Sequence, residues 1–201
     1  MAPRVTPQSA AIGFRVKTGR ATAVVLEGPA SAPKLVARHA VDLCDPNVPA
    51  SRQPYHEGLD HPEGENAPVV RRGCEAAERV ALRTMRDLVD EVRRGGRDVR
   101  GVGLVVTSDN DPELLKSRHV RAHAFEGRLF REILEAAAAS CGLPCLVIIE
   151  RQAFERAAGA LGRPATDLRH TVTSLGAGVP KPWGAEEKTA SLAAWLALRS
   201  R

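Results

Sequence analysis

From Ala11 to Glu27 the chain reads AIGFRVKTGRATAVVLE, two apolar, β-branched runs on either side of Thr18-Gly19-Arg20. That spacing predicts two strands joined by a tight turn. After the breaker Gly28-Pro29 a third strand is expected over 34–43, where Leu35, Ala37, His39 and Val41 alternate with Val36, Arg38, Ala40 and Asp42. Three strands in succession with short connections require an antiparallel meander. Residues 45–73 then lose all periodicity: DPNVPASRQPYHEGLDHPEGENAP carries five prolines together with Tyr55, His56 and His61. A connection of that length is either functional or mobile. Helical spacing takes over at 75–94, with Ala81, Met85, Leu88, Val89 and Val92 on one face and Gly95-Gly96 as the stop.

Two near-continuous apolar runs, VRGVGLVVT from Val99 and LPCLVIIE from Leu143, predict strands covered on both faces. Between them a helix is expected over 113–140 on the stripe Phe125, Leu129, Ile133 and Ala137. A short helix at 152–161, an irregular Gly/Pro segment and a final helix from about Glu186 complete the chain. The order βββ-α-β-α-β-α is that of an α/β protein. With no break in composition, residues 1–201 read as one domain with a long irregular loop at 45–73.

Length and composition narrow the function. A chain of 201 residues with 43% hydrophobic content suffices for one substantial core. No apolar run approaches the ~20 residues that span a bilayer, and MAPRVTPQSAA lacks the apolar stretch of a secretory leader. A cytoplasmic protein without a membrane partner is therefore expected. Cys44, Cys74, Cys141 and Cys145 form no C-x-x-C pair and are too few for a disulfide scaffold, so they read as buried reduced thiols. The net charge of +5 permits a polyanionic partner, and nine arginines fall between Arg71 and Arg100. An aromatic content of 3% argues against a single-strand binder built on stacking.

The element order resembles the ribonuclease-H-like fold, a five-stranded mixed sheet with a leading meander and helices on both faces. Two stretches sharpen the likeness. AIGFRVKTGRATAVVL is similar to the opening hairpin of that superfamily, and EEKTASLAAWLAL resembles the last helix of bacterial Holliday-junction resolvases, where acids one turn apart precede an alanine-rich run. The resemblance implies carboxylates from the first strand, from the fourth strand or the first helix, and from the last helix converging on two magnesium or manganese ions that cleave a phosphodiester. This chain departs from the pattern. Arg15 stands at the first-strand carboxylate position, Thr189 at the second acid of the last helix, and Asp109 follows the fourth strand rather than lying inside it.

Each candidate has a structural and a functional reading. Glu186 and Glu187 either oppose the helix dipole or join Asp109 and Glu150 as catalytic carboxylates. His119, His123 and Glu126 share a helical face by their spacing and can either bind a metal, with Asp109 and Glu186 as further ligands, or line a solvated face. Gly127 beside them suggests close approach of a backbone or a ligand. His56 and His61 belong to a flexible acidic loop or to a lid. Glu150 is expected to pair with Arg151 or Arg128, and Arg15 with Asp109 or Glu186 in place of a lost metal. Arg15, Lys17, Arg20, Arg83 and Arg86 are the candidate nucleic-acid contacts, DNA or RNA, and the apolar helices offer a homodimer surface. Three functions fit: a catalytically degenerate protein with a basic nucleic-acid-facing surface, needing no cofactor; an active metal-dependent nuclease with a rearranged site; or an interaction protein reusing the scaffold.

Overall fold

The first three strands pair in chain order. In the computed structural model, which describes residues 7–199, β1 (Gln8–Lys17), β2 (Arg20–Glu27) and β3 (Lys34–Asp42) form an antiparallel meander. β4 (Arg97–Val106) joins β1 in parallel, and β5 (Cys145–Ile149) joins β4, also in parallel. The sheet order is β3-β2-β1-β4-β5. Residues 1–6, read above for the lack of a leader, lie outside the described residues, as do 200–201. No helix is long and apolar enough to cross a membrane among the described residues.

Alternation along β1 divides the core. Ile12, Phe14 and Val16 point to one face, where Met85, Val89, Phe130 and Leu134 from α2 (Pro68–Arg94) and α3 (Arg118–Ser140) cover them. The apolar stripes of both helices are thus turned to the sheet. Ala11 faces the other way, toward α6 (Ala185–Ala197). Outside α6 lie α4 (Ala153–Leu161) and α5 (Ala165–Ser174), which leave every residue from Thr189 to Ala197 buried. A helix covered on both sides needs apolar or small residues all round, which accounts for TASLAAWLA.

Three expectations are corrected. Residues 45–73 are not featureless: they carry 3-10 turns at Pro49–Ser51 and Gly64–Asn66 and a single helical turn, α1 (Pro54–Glu57), and α2 starts at Pro68 rather than at 75. Proline at the first helical position is favourable because its missing N–H would have had no partner there. The segment read as irregular after 161 contains α5. The alternation along β3 slips at a bulge, where Val25 pairs with Ala37 but Leu26 with Leu35, so Leu35 joins the α6 side while Val36, Ala37 and Val41 serve the other.

Gly13 and Gly103 sit side by side on β1 and β4 and determine how closely α6 approaches. A Cβ on Gly13 would stand 2.0 Å from the Ala190 carbonyl oxygen and 2.3 Å from the Ala194 nitrogen, and one on Gly103 would stand 2.4 Å from the Ala193 oxygen. The helix backbone therefore rests on the glycines, and its N-terminus is delivered to the C-terminal ends of β1 and β4.

Candidate functional site

Two polar clusters flank that end of the sheet. The first lies on the α6 side. Arg15 occupies the next β1 position past Gly13 on the same face and is 4% exposed. Its Nε donates to Glu150 Oε1 at 3.1 Å, one terminal nitrogen to Glu150 Oε2 at 2.6 Å, and the same nitrogen to Thr107 Oγ1 at 3.2 Å. The other nitrogen donates to the Val16 carbonyl at 2.6 Å. A forked, doubly bonded guanidinium–carboxylate pair is the strong form of this interaction. Arg15 thus pairs with Glu150, not with Asp109 or Glu186, and Arg128 pairs instead with Asp111 at 2.7 Å.

Glu186 has its own cations. Arg20 donates to both its oxygens at 2.9 and 3.2 Å, Thr22 Oγ1 donates at 2.8 Å, and Lys17 Nζ lies 2.6 Å away. Hydrogen bonds from Arg20 first, then from Lys17, hold the Glu186 carboxyl down at about 2. Because the folded-state value lies below the unfolded one, this stabilisation is present above the ordinary 4.5 and is lost as pH falls toward 2. With the cations largely solvated, its size is about 1 kcal/mol. The advantage of the native protein over Glu186→Gln in urea midpoint is accordingly expected to at least halve between pH 6 and pH 3; an advantage independent of pH would refute the pairing. Glu187 turns back to accept from the Gly184 N–H at 2.8 Å and lies 3.5 Å from Arg38, so it caps the helix. Thr189 spends its hydroxyl on the Ala185 carbonyl of its own helix.

The second cluster lies on the α2/α3 side, around a cleft of about 550 Å³ lined by Lys17, Thr107, Asp109, His123, Gly127 and Arg128 among others. Gly127 meets nothing within 4 Å, so no backbone approaches it and its face opens into the cleft. Asp109 is exposed at the rim. Beneath α3, the fully buried Glu126 accepts from the His56 ring at 2.7 Å between Oε1 and Nδ1. Burial pushes the Glu126 carboxyl upward, opposed by the bond from His56. His56, from α1, meets His119 and His123 edge to face, with ring centroids 4.3–4.9 Å apart. Desolvation, then the neighbouring His56 and His119, lower the His123 pKa. No local spacing in the sequence joins His56, in the 45–73 segment, to the α3 histidines.

Among the described residues, the one group of three or more His, Cys, Asp or Glu side chains close enough to share an ion is His56, His119 and His123. The expected ligand set of His123, Glu126, Asp109 and Glu186 is divided by the sheet, with His123 and Glu126 gathered around His56 and Glu186 held by the hairpin. The expected basic set is divided as well. Arg15 is buried, and Lys17 and Arg20 are engaged with Glu186. Arg83 and Arg86 are exposed on α2, Arg83 beside the groove between α2 and β3, while exposed Arg72, Arg79, Arg86 and Arg93 recur every seven residues. The four cysteines are free, and burial pushes the Cys145 thiol up to about 12, leaving it protonated and unreactive.

This sheet order, with α6 and its outer helices on one face and α2 and α3 on the other, is the ribonuclease-H-like fold. No protein-family model and no curated protein matches the sequence. Among solved structures the chain is similar to RuvC of Thermus thermophilus, at 12% identity over 93% of this chain and 92% of that one, with a TM-score of 0.55. It is similar to the same protein in complex with a Holliday junction substrate, at 11% identity over 94% and 91%, TM-score 0.55. A yeast mitochondrial Holliday junction resolvase also matches, at 8% identity over 98% and 80%, TM-score 0.45. At such identities the likeness is one of fold.

Proposed function

We propose that this protein binds nucleic acid on a ribonuclease-H-like scaffold and does not cleave it by the two-metal route. The observation that carries this reading is Arg15, a buried guanidinium on the central strand, forked onto Glu150. Two hard cations a few ångströms apart need several free oxygen ligands. Here one strand position supplies a fixed positive charge, and the helix carboxylate, Glu186, already faces Lys17 and Arg20. The residues present do not fit a magnesium pair. The exposed arginine row on α2 supports the binding half of the proposal: Arg72 to Arg93 spans about 31 Å of helix at 1.5 Å per residue, a length suited to tracking a phosphate backbone. RuvC, whose fold this chain resembles, has been captured with a Holliday junction substrate, so four-way junctions join duplex DNA and RNA as ligands to test.

Binding measured by fluorescence anisotropy is expected to weaken linearly with log salt, by about 0.9 in slope for each phosphate neutralised on duplex DNA. Reversing Arg79, Arg83 and Arg86 to glutamate together is expected to reduce that slope by about 2–3 and to weaken binding at least tenfold at 50 mM salt. No cleavage of branched or linear DNA or of RNA is expected with magnesium or manganese. Affinity indifferent to the triple reversal would remove the binding surface, and cleavage abolished by Glu186→Gln would establish a rearranged nuclease instead.

A further inference from the structure

Three imidazoles drawn from two distant segments meet beside the cleft, and one carries a polar atom that nothing in the fold uses. We propose that His56, His119 and His123 hold one first-row transition-metal ion of the zinc class, with Glu126 fixing the orientation of His56.

The donor set suits such an ion. Neutral imidazole is a good ligand for zinc and its neighbours and a poor one for magnesium. The three rings offer nitrogens that all lie within 4.8 Å of one another. Around a tetrahedral ion with bonds of about 2.0–2.1 Å, ligand nitrogens stand roughly 3.3 Å apart, so modest side-chain rotation closes the set. Histidines 119 and 123 are one helical turn apart on α3 and are exposed, free to make that rotation.

His56 is the informative member. Its Nδ1 is committed to Glu126 Oε1, and the His56 backbone N–H donates to the same oxygen at 3.3 Å. That bond fixes the tautomer and leaves Nε2 as the free lone pair. Nε2 is buried with no hydrogen-bond partner. A buried polar atom without a partner is costly, and a metal would satisfy it. A carboxylate behind a ligating histidine is the usual support for such a site, because it orients the ring and raises its basicity. The segment bearing His56 is already seated: Tyr55 stacks on Phe125 with ring centroids 4.8 Å apart, and Arg118 donates to the Leu59 carbonyl at 2.6 Å. The ion would lock this loop to α3, with its fourth coordination position left to a water or to a ligand in the cleft.

The test uses the full-length protein stripped with chelator and titrated with zinc by calorimetry, and with cobalt followed by visible absorption. One ion per chain is expected, with a tetrahedral cobalt spectrum and a melting temperature raised by zinc. His119→Ala, at an exposed position that leaves the fold intact, is expected to abolish the cobalt spectrum, and Glu126→Gln to weaken binding by about 10–100-fold. Failure of the native protein to bind zinc or cobalt would overturn the proposal, as would a cobalt spectrum unchanged in His119→Ala and His56→Ala. The assay involves no nucleic acid, so its outcome is separate from that of the binding function.

Discussion

Gly13→Ala is expected to destabilise the protein by about 3 kcal/mol or more, at or beyond the upper range of overpacking substitutions. For a chain of this size that corresponds to a fall of roughly 6–12 °C in Tm. The added methyl has nowhere to go. It would meet the Ala190 oxygen at 2.0 Å and the Ala194 nitrogen at 2.3 Å, and these are backbone atoms rather than the movable end of a side chain. α6 cannot retreat freely, because α4 and α5 pack against it and every residue from Thr189 to Ala197 is buried. Gly103→Ala meets the Ala193 oxygen at 2.4 Å and should act alike. Because either methyl lifts the same helix, the double variant should cost less than the sum of the two. Gly159→Ala, with nothing within 4 Å, is the matched control. A Gly13→Ala protein melting within 1 °C of the native one would mean that α6 does not rest on this pair.

The second large effect is an asymmetry between the partners of the central ion pair. Glu150→Ala leaves the Arg15 guanidinium buried without its counter-charge, a change that typically costs about 3–5 kcal/mol. The Thr107 hydroxyl and Val16 carbonyl still accept from it, and the Glu150 side chain is 40% exposed, so water can partly replace the lost carboxylate. We therefore expect the lower end, about 3 kcal/mol. Arg15→Met removes the buried charge itself and fills its volume, leaving Glu150 to turn to solvent; an apolar replacement of this kind is often near neutral, and a cost of about 1 kcal/mol or less is expected. Urea denaturation at pH 7 reads both. Arg15→Met costing more than Glu150→Ala would contradict the burial and pairing of Arg15.

The sequence made the sheet legible because β-branched alternation and two long apolar runs left few other readings for the strands. Less visible was the start of α2: Gly73 looks like a breaker, yet it is a contact, since a Cβ there would stand 2.7 Å from the Ala50 carbonyl. α5 leaves a faint pattern because only Leu168 and Val172 are buried, a single pair at i, i+4 among threonines. The β3 bulge has no local mark in composition.

The site was readable only in parts. That Arg15 stands where the resemblance implies a carboxylate was plain, but its partner was not, since Arg15 and Glu150 are 135 residues apart. Likewise the H-x-x-x-H-x-x-E spacing placed His119, His123 and Glu126 on one face of α3, whereas His56 lies 70 residues from Glu126 in a proline-rich segment without periodicity. Such pairs are created by topology, which places loop ends together and leaves no trace in local spacing.

If the two-metal route is closed, the side-chain cations Arg15, Lys17 and Arg20 hold the carboxylates at the C-terminal end of β1 even when metal is abundant. Crystals soaked in manganese and examined by anomalous diffraction test this directly. No manganese peak is expected in contact with Glu150 or Glu186, with Arg15 still forked onto Glu150 and Lys17 and Arg20 still on Glu186. A manganese ion ligated by either carboxylate, with its arginine displaced, would show that the metal site survives.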